Sequence, residues 1–94
     1  MHFMIAGYLK PGAEEKLIDY HQAFNEHVGQ SAHDVVIAGV LRNEEGRRVG
    51  YVAVMETEHI DRAQTWLSES PLYQAGLYER SEIYEYQNEI GHIR

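Results

Sequence analysis

The chain contains no cysteine, so it has no disulfide framework, no thiolate zinc site and no cysteine nucleophile. That composition suits a reducing cytoplasm. Basic residues are also scarce: eight Lys and Arg face fifteen Asp and Glu, for a net charge of −7. Such a chain repels phosphate backbones and anionic lipid unless its few cations cluster. The one basic cluster, Arg42, Arg47 and Arg48, is interrupted by Glu44 and Glu45, which argues against nucleic acid as a partner. No apolar run approaches the roughly 18 residues of a membrane span, and the N-terminus lacks the charged and apolar regions of a signal peptide. The expectation is a soluble, unprocessed, cytoplasmic chain with no membrane partner. Neither G-x-G-x-x-G nor G-K-[ST] occurs, so no nucleotide site is expected, and Ser70 lacks the strained G-x-S-x-G turn that exposes a nucleophile.

What is present is enough for one core. The 94 residues are 44% hydrophobic and 24% charged, the balance of a folded domain rather than a disordered segment. A single domain over residues 1–94 is expected. A domain this small buries only about 60 to 70% of the surface its unfolded chain exposes, so a partner subunit or ligand would matter to its stability.

Residues His2 to Leu9 are almost wholly apolar and stop at Lys10-Pro11-Gly12, as a buried strand ended by a turn would. From Ala13 to about Val28, Leu17, Tyr20, Phe24 and Val28 recur at helical spacing. Glu14 and Glu15 stand in the first turn, where the helix dipole favours negative charge. Val35 to Leu41 and Val49 to Met55 read as two buried strands joined by a polar, glycine-containing hairpin. Thr57 is placed to cap a second helix in which Ile60, Ala63, Trp66 and Leu67 share a face, closed when Pro71 restricts Ser70. Ile83 to Tyr86 then alternates with glutamates as a more exposed last strand.

This order predicts an α+β fold, a ferredoxin-like βαββαβ antiparallel sheet with two helices on one face. The third strand adds a further expectation. Val49, Tyr51, Ala53 and Met55 fall on one face and Val52 and Val54 on the other, yet two helices cover only one face of a sheet. A second copy of the same sheet is the commonest cover, because symmetric dimers dominate oligomers. The sequence therefore predicts a homodimer built sheet against sheet.

Six histidines are the first candidates for chemistry, since imidazole shuttles protons near neutral pH and binds metals. His21 and His27 are six apart, not the i, i+4 pair of a helical metal site; no metal and no cofactor is expected. His21 shares the face of Leu17 and Phe24 and should point toward the core or a cavity, where it is either a histidine satisfied by hydrogen bonds or a proton carrier. His2, His33, His59 and His92 fall at or near element ends, where solvated or capping roles are expected. Seven tyrosines are the second candidates, because a ring with a polar tip suits an interface or a pocket for a phenolic ligand. Tyr8 and Tyr51 lie in strands, whereas Tyr73 and Tyr78 flank the Gln74-Ala75-Gly76-Leu77 turn. Glu79, Glu82, Glu85 and Glu89 read as ordinary surface charge rather than a cation site.

The opening Met4-Ile5-Ala6-Gly7-Tyr8-Leu9-Lys10-Pro11-Gly12, the Ala38-Gly39-Val40-Leu41 strand, the Arg47-Arg48-Val49-Gly50-Tyr51 return and above all the segment from Ser70-Pro71 to Ala75-Gly76-Leu77-Tyr78-Glu79 and Ile83 resemble the YciI (YCII-related) family. The resemblance spans nearly the whole chain and implies a dimeric α/β barrel. It also implies handling of hydroxylated aromatic breakdown products, including dehydrochlorination, by a first-helix histidine paired with the aspartate of a D-P motif. Here Ser70 stands at that aspartate and, counted without gaps, Phe24 at that histidine. His21 and His27 each lie about one helical turn away.

Two functional classes follow. In the first, the chain is a cofactor-independent acid/base lyase or isomerase, dehydrochlorinase-like, acting on a hydroxylated aromatic or lactone. His21 or His27 would move the proton and Tyr73 or Tyr78 would stabilise the oxyanion, with Ser70 in the aspartate's place and Tyr8 and Phe24 as substrate contacts. In the second, it is a catalytically degenerate dimer that binds a small metabolite or a protein. A haem or metal protein would rest on histidine count alone.

Overall fold

In the computed structural model, which describes residues 1–31 and 34–92, four strands and three α-helices follow the expected order. His33 lies outside the described residues. Strand β1 runs His2–Leu9, β2 Val35–Arg42, β3 Arg48–Glu56 and β4 Tyr78–Tyr86; helix α1 runs His21–Gln30, α2 Ile60–Ser68 and α3 Pro71–Gln74. A 3-10 segment, Ala13–Tyr20, precedes α1. The strands form one antiparallel sheet in the order β2-β3-β1-β4, the ferredoxin-like arrangement.

One face of the sheet carries the core. Phe3 and Ile5 of β1 and Ala53 and Met55 of β3 pack against Ala63, Trp66 and Leu67 of α2. A second cluster joins Leu9, Ala13 and Leu17 to Leu72 and Leu77 at the other end. Helix α1 differs from α2 in burying no residue completely.

The opposite face is apolar and no element of the described chain packs over it. Ile37 pairs with Val54, Val54 with Met4, and Met4 with Tyr84, so these four side chains form a row across the sheet because directly opposed residues share a face. The ends of the row are open, with Ile37 49% and Tyr84 59% exposed.

Three register shifts interrupt the ladder. Two of them lie at the end of the sheet near α1 and α3. Between the pairs Leu41↔Gly50 and Arg42↔Arg48, β3 advances two residues against one on β2. Between Tyr8↔Arg80 and Leu9↔Tyr78, β4 does the same against β1. An extra residue resets the in-and-out alternation of everything beyond it. The bulge at Val49 brings Arg48 into register with Arg42 on the helix-covered face, and the bulge at Glu79 does so for Tyr78.

Several local expectations change. The single helix expected from Ala13 is split at Tyr20 into a 3-10 segment and α1. Thr57 does not cap α2: its backbone N–H donates to the Met1 carbonyl at 2.9 Å, which continues the sheet, and His59 occupies the N-cap. Ile60 at the start of α2 is 38% exposed, whereas Ala63, Trp66 and Leu67 are buried. The last strand begins at Tyr78, five residues before Ile83. The alternation expected along β3 holds from Tyr51 to Met55 and breaks at Val49.

Candidate functional site

Between α1 and the sheet lies a cavity of about 480 Å³. Its floor is set by backbone geometry. The Tyr78 ring lies flat on Gly7, so close that a Cβ at position 7 would stand 2.5 Å from the ring. Only glycine allows that approach. The chain reaches Tyr78 through the short helix α3, where Pro71 occupies the first turn that suits it. Gly76, at φ 72°, then turns the chain into β4, and the Leu77 N–H donates to Leu72 O at 3.0 Å.

The walls are largely aromatic. Phe24 of α1 packs against Tyr51 of β3 with ring centroids 4.8 Å apart, and Trp66 of α2 lines the inner end. Three polar groups are buried among them. The Ser70 hydroxyl, on a residue only 2% exposed, and the Trp66 indole N–H lack a hydrogen-bond partner among the described residues. Ser70 sits at the N-cap of α3 yet its side chain does not cap the helix, the bond a serine there usually makes. The third group is the Tyr78 hydroxyl, whose pKa burial pushes up to about 12. The neighbouring Ser70 hydroxyl pulls it partly back, although the two hydroxyls do not form a regular hydrogen bond. Tyr78 therefore stays protonated at neutral pH and is a donor.

His21 stands at the mouth, exposed, its Nε2 3.2 Å from Asn25 Nδ2. It lines the cavity and also a shallower depression formed by the 3-10 segment and the β2–β3 hairpin. The site thus brings together His21, Phe24, Ser70 and Tyr78 from the sequence-level candidates.

The other candidates lie elsewhere. His27 does not line the cavity; its ring stacks on Trp66 at 4.7 Å and its Nε2–H donates to Trp66 O at 2.9 Å. Burial lowers its pKa, more than its backbone hydrogen bond and Glu69 raise it. His27 is a neutral prop for the indole. Tyr73 is 46% exposed on α3 and does not line the cavity. Tyr8 is on the opposite sheet face, its hydroxyl donating to Glu82 at 3.4 Å under the Arg80 guanidinium. Among the described residues, no three His, Asp or Glu side chains gather closely enough to hold a metal ion.

Sequence reasoning passed over Trp66, Asn25 and Arg48 as site residues. Trp66 read as core because it shares a helical face with Ala63 and Leu67, and that face is indeed buried. Asn25 had a usable signal, since it stands at i+4 from His21 and such pairs meet on a helix. Arg48 was visible only as part of a broken basic cluster, because the bulge that turns it inward leaves no mark in composition.

The overall geometry recurs in solved structures. The chain is similar to the 5-chloro-2-hydroxyhydroquinone dehydrochlorinase of Burkholderia phenoliruptrix AC1100, solved with 2,5-dihydroxybenzoquinone, at a TM-score of 0.85 and 19% identity over 95% of this chain and 96% of that one. A putative antibiotic biosynthesis monooxygenase from Chloroflexus aurantiacus J-10-fl aligns over 97% and 98% of the two chains at a TM-score of 0.53 and 14% identity. At these identities the likeness concerns the fold. No curated protein matches the sequence. The YCII-related domain model matches residues 1–87, and the chain belongs to that family.

Proposed function

We propose that this protein is a small-molecule enzyme of the YCII-related family, a cofactor-independent lyase or isomerase acting on a hydroxylated aromatic or lactone. The observation that carries this reading is the cavity's chemistry. An aromatic-walled space of about 480 Å³ contains buried hydroxyl and indole groups that have no regular partner among the described residues. Buried polar groups are normally satisfied, and a flat, oxygen-bearing ring would satisfy these. The 0.85 TM-score to a dehydrochlorinase supports the same class of ligand.

His21 is the proton carrier in this reading. It takes a proton from a ring hydroxyl or an adjacent carbon, and the negative charge moves onto the oxygen facing Tyr78, whose O–H donates to it. The charge then collapses in one of two ways. A proton returned from His21 to a different carbon gives isomerisation. Departure of a neighbouring anion such as chloride with its bonding electrons gives elimination, and the proton stays on His21. Ser70 holds a ligand oxygen by hydrogen bonding. The protein works as a sheet-to-sheet homodimer, which the uncovered apolar face supports.

A specific observation favours a second reading. The two positions that the family resemblance assigns to the acid/base pair both line the cavity, but they hold Phe24 and Ser70, neither of which titrates as that pair requires. The alternative is a binding protein that takes the same ligands without converting them. Turnover assays on chlorinated hydroxyquinols, catechols and muconolactones, reading chloride release and ultraviolet spectra, separate the two. The enzyme reading expects His21→Asn to lower turnover by about 100-fold or more, the usual range for losing a general base, with little effect of His27→Gln on the chemical step. Saturable thermal stabilisation by these compounds without turnover identifies the binder.

A further inference from the structure

We infer that the ligand of this cavity carries a carboxylate, held at the mouth by Arg48. The inference rests on the reading that the cavity takes a small ring compound, and adds its charge. In a chain of net charge −7, no Asp or Glu is among the described residues lining the cavity, and Arg48 is the one lysine or arginine among them. The two other arginines of the hairpin are engaged. The Arg47 guanidinium lies 4.0 Å from Glu14 and 3.9 Å from Glu45, and Arg42 donates to Gly46 O at 2.9 Å. Glu14, the carboxylate of the adjoining depression, accepts from the backbone N–H of Arg48 and faces Arg47. The Arg48 guanidinium itself forms no ion pair or hydrogen bond with another described side chain.

Its position is built by the strand. If Val49 were paired as an ordinary ladder residue, the pleat would carry Arg48 to the face of Gly50 and Val52, away from the helices. The bulge returns it to the helix-covered face, in register with Arg42. Bulges beside functional sites commonly re-aim a side chain in this way. Arg48 and His21 both line the cavity and the adjoining depression, so the cation stands at the mouth while the aromatic walls lie further in. A planar guanidinium suits the two oxygens of a carboxylate. The arrangement fits a ring seated between Phe24, Tyr51 and Tyr78 with its carboxylate toward solvent.

The test uses two probes of nearly equal shape, 2-hydroxybenzoate and 2-hydroxybenzamide, titrated calorimetrically into the full chain at low salt. The anion is expected to bind about 10- to 100-fold more tightly, the range for a hydrogen bond to a charged group. Arg48→Gln should remove that preference by weakening benzoate binding while leaving the amide unchanged. Arg48→Lys should restore part of it, and Arg62→Gln, which removes a positive charge outside the cavity lining, should keep it whole. Equal affinity of the two probes for the natural chain would overturn the carboxylate inference and leave the ring-binding cavity standing. A preference that persists in a folded Arg48→Gln, or falls equally in Arg62→Gln, would overturn the role of Arg48. Binding of neither probe would overturn both the cavity reading and this one.

Discussion

Tyr78 and Gly7 share one space, and neither residue's role is intelligible without the other. The ring occupies the volume that any side chain at position 7 would need, so the absence of a Cβ on β1 fixes how deep the cavity is. Gly7→Ala should push the ring outward at a cost of about 1–3 kcal/mol, typical of overpacking, and weaken ring-compound binding. Thermal unfolding and a ligand titration would show both effects. In a Tyr78→Ala background the Gly7→Ala change should cost little further stability, because the clash has gone with the ring, and binding should be lost with the hydroxyl. Unchanged melting and binding in Gly7→Ala would mean that the ring has room to move.

At the scale of elements, the strands and helices were readable in the sequence and the bulges were not. The apolar runs from His2 and Val35 and the helical spacing of Ala63, Trp66 and Leu67 follow from burial of one face or stripe, a signal repeated over many residues. A bulge is a single inserted position. Val49 and Glu79 have nothing in their chemistry to distinguish them from ladder residues, yet they decide that Arg48 and Tyr78 face the helices. The split of the first helix was equally hidden, since a spacing of three residues such as Leu17 to Tyr20 fits one turn of either helix type. For the site, the Ser70-Pro71 motif and the face of His21 and Phe24 pointed to residues that do meet at the cavity, whereas the partner of His27 on a distant helix could not be read from local spacing. Deleting Glu79 tests the element directly. With the extra residue gone, ordinary alternation keeps Tyr78 opposite Leu9 on the helix-covered face, so binding of 2-hydroxybenzoate and the far-ultraviolet circular dichroism signal of the sheet should both be kept. Binding lost on the deletion, with the sheet signal retained, would show that the local twist of the bulge, and not the face of Tyr78 alone, sets the ring.

For the whole molecule, the two faces of the sheet are both apolar but only one is covered by the described chain. The row from Ile37 through Val54 and Met4 to Tyr84 crosses all four strands, and its ends are half open to solvent. A charge at the exposed end should be tolerated by one chain and not by two stacked sheets. Ile37→Glu is expected to halve the mass measured by light scattering while leaving the circular dichroism spectrum and single-chain fold intact. A mass unaltered by Ile37→Glu would place the contact between copies elsewhere.

The lack of a fully buried residue on α1 bears on how this architecture acquires new ligands. Substitutions on a helix whose side chains are only partly enclosed leave no large void and strip little of the core, so the stability toll that limits most sequence drift is small there. Yet this helix supplies Phe24, Asn25 and His21 to the cavity wall. The sheet and α2 hold the scaffold constant while α1 behaves as an exchangeable panel, and divergence of ligand preference among related chains should concentrate on it.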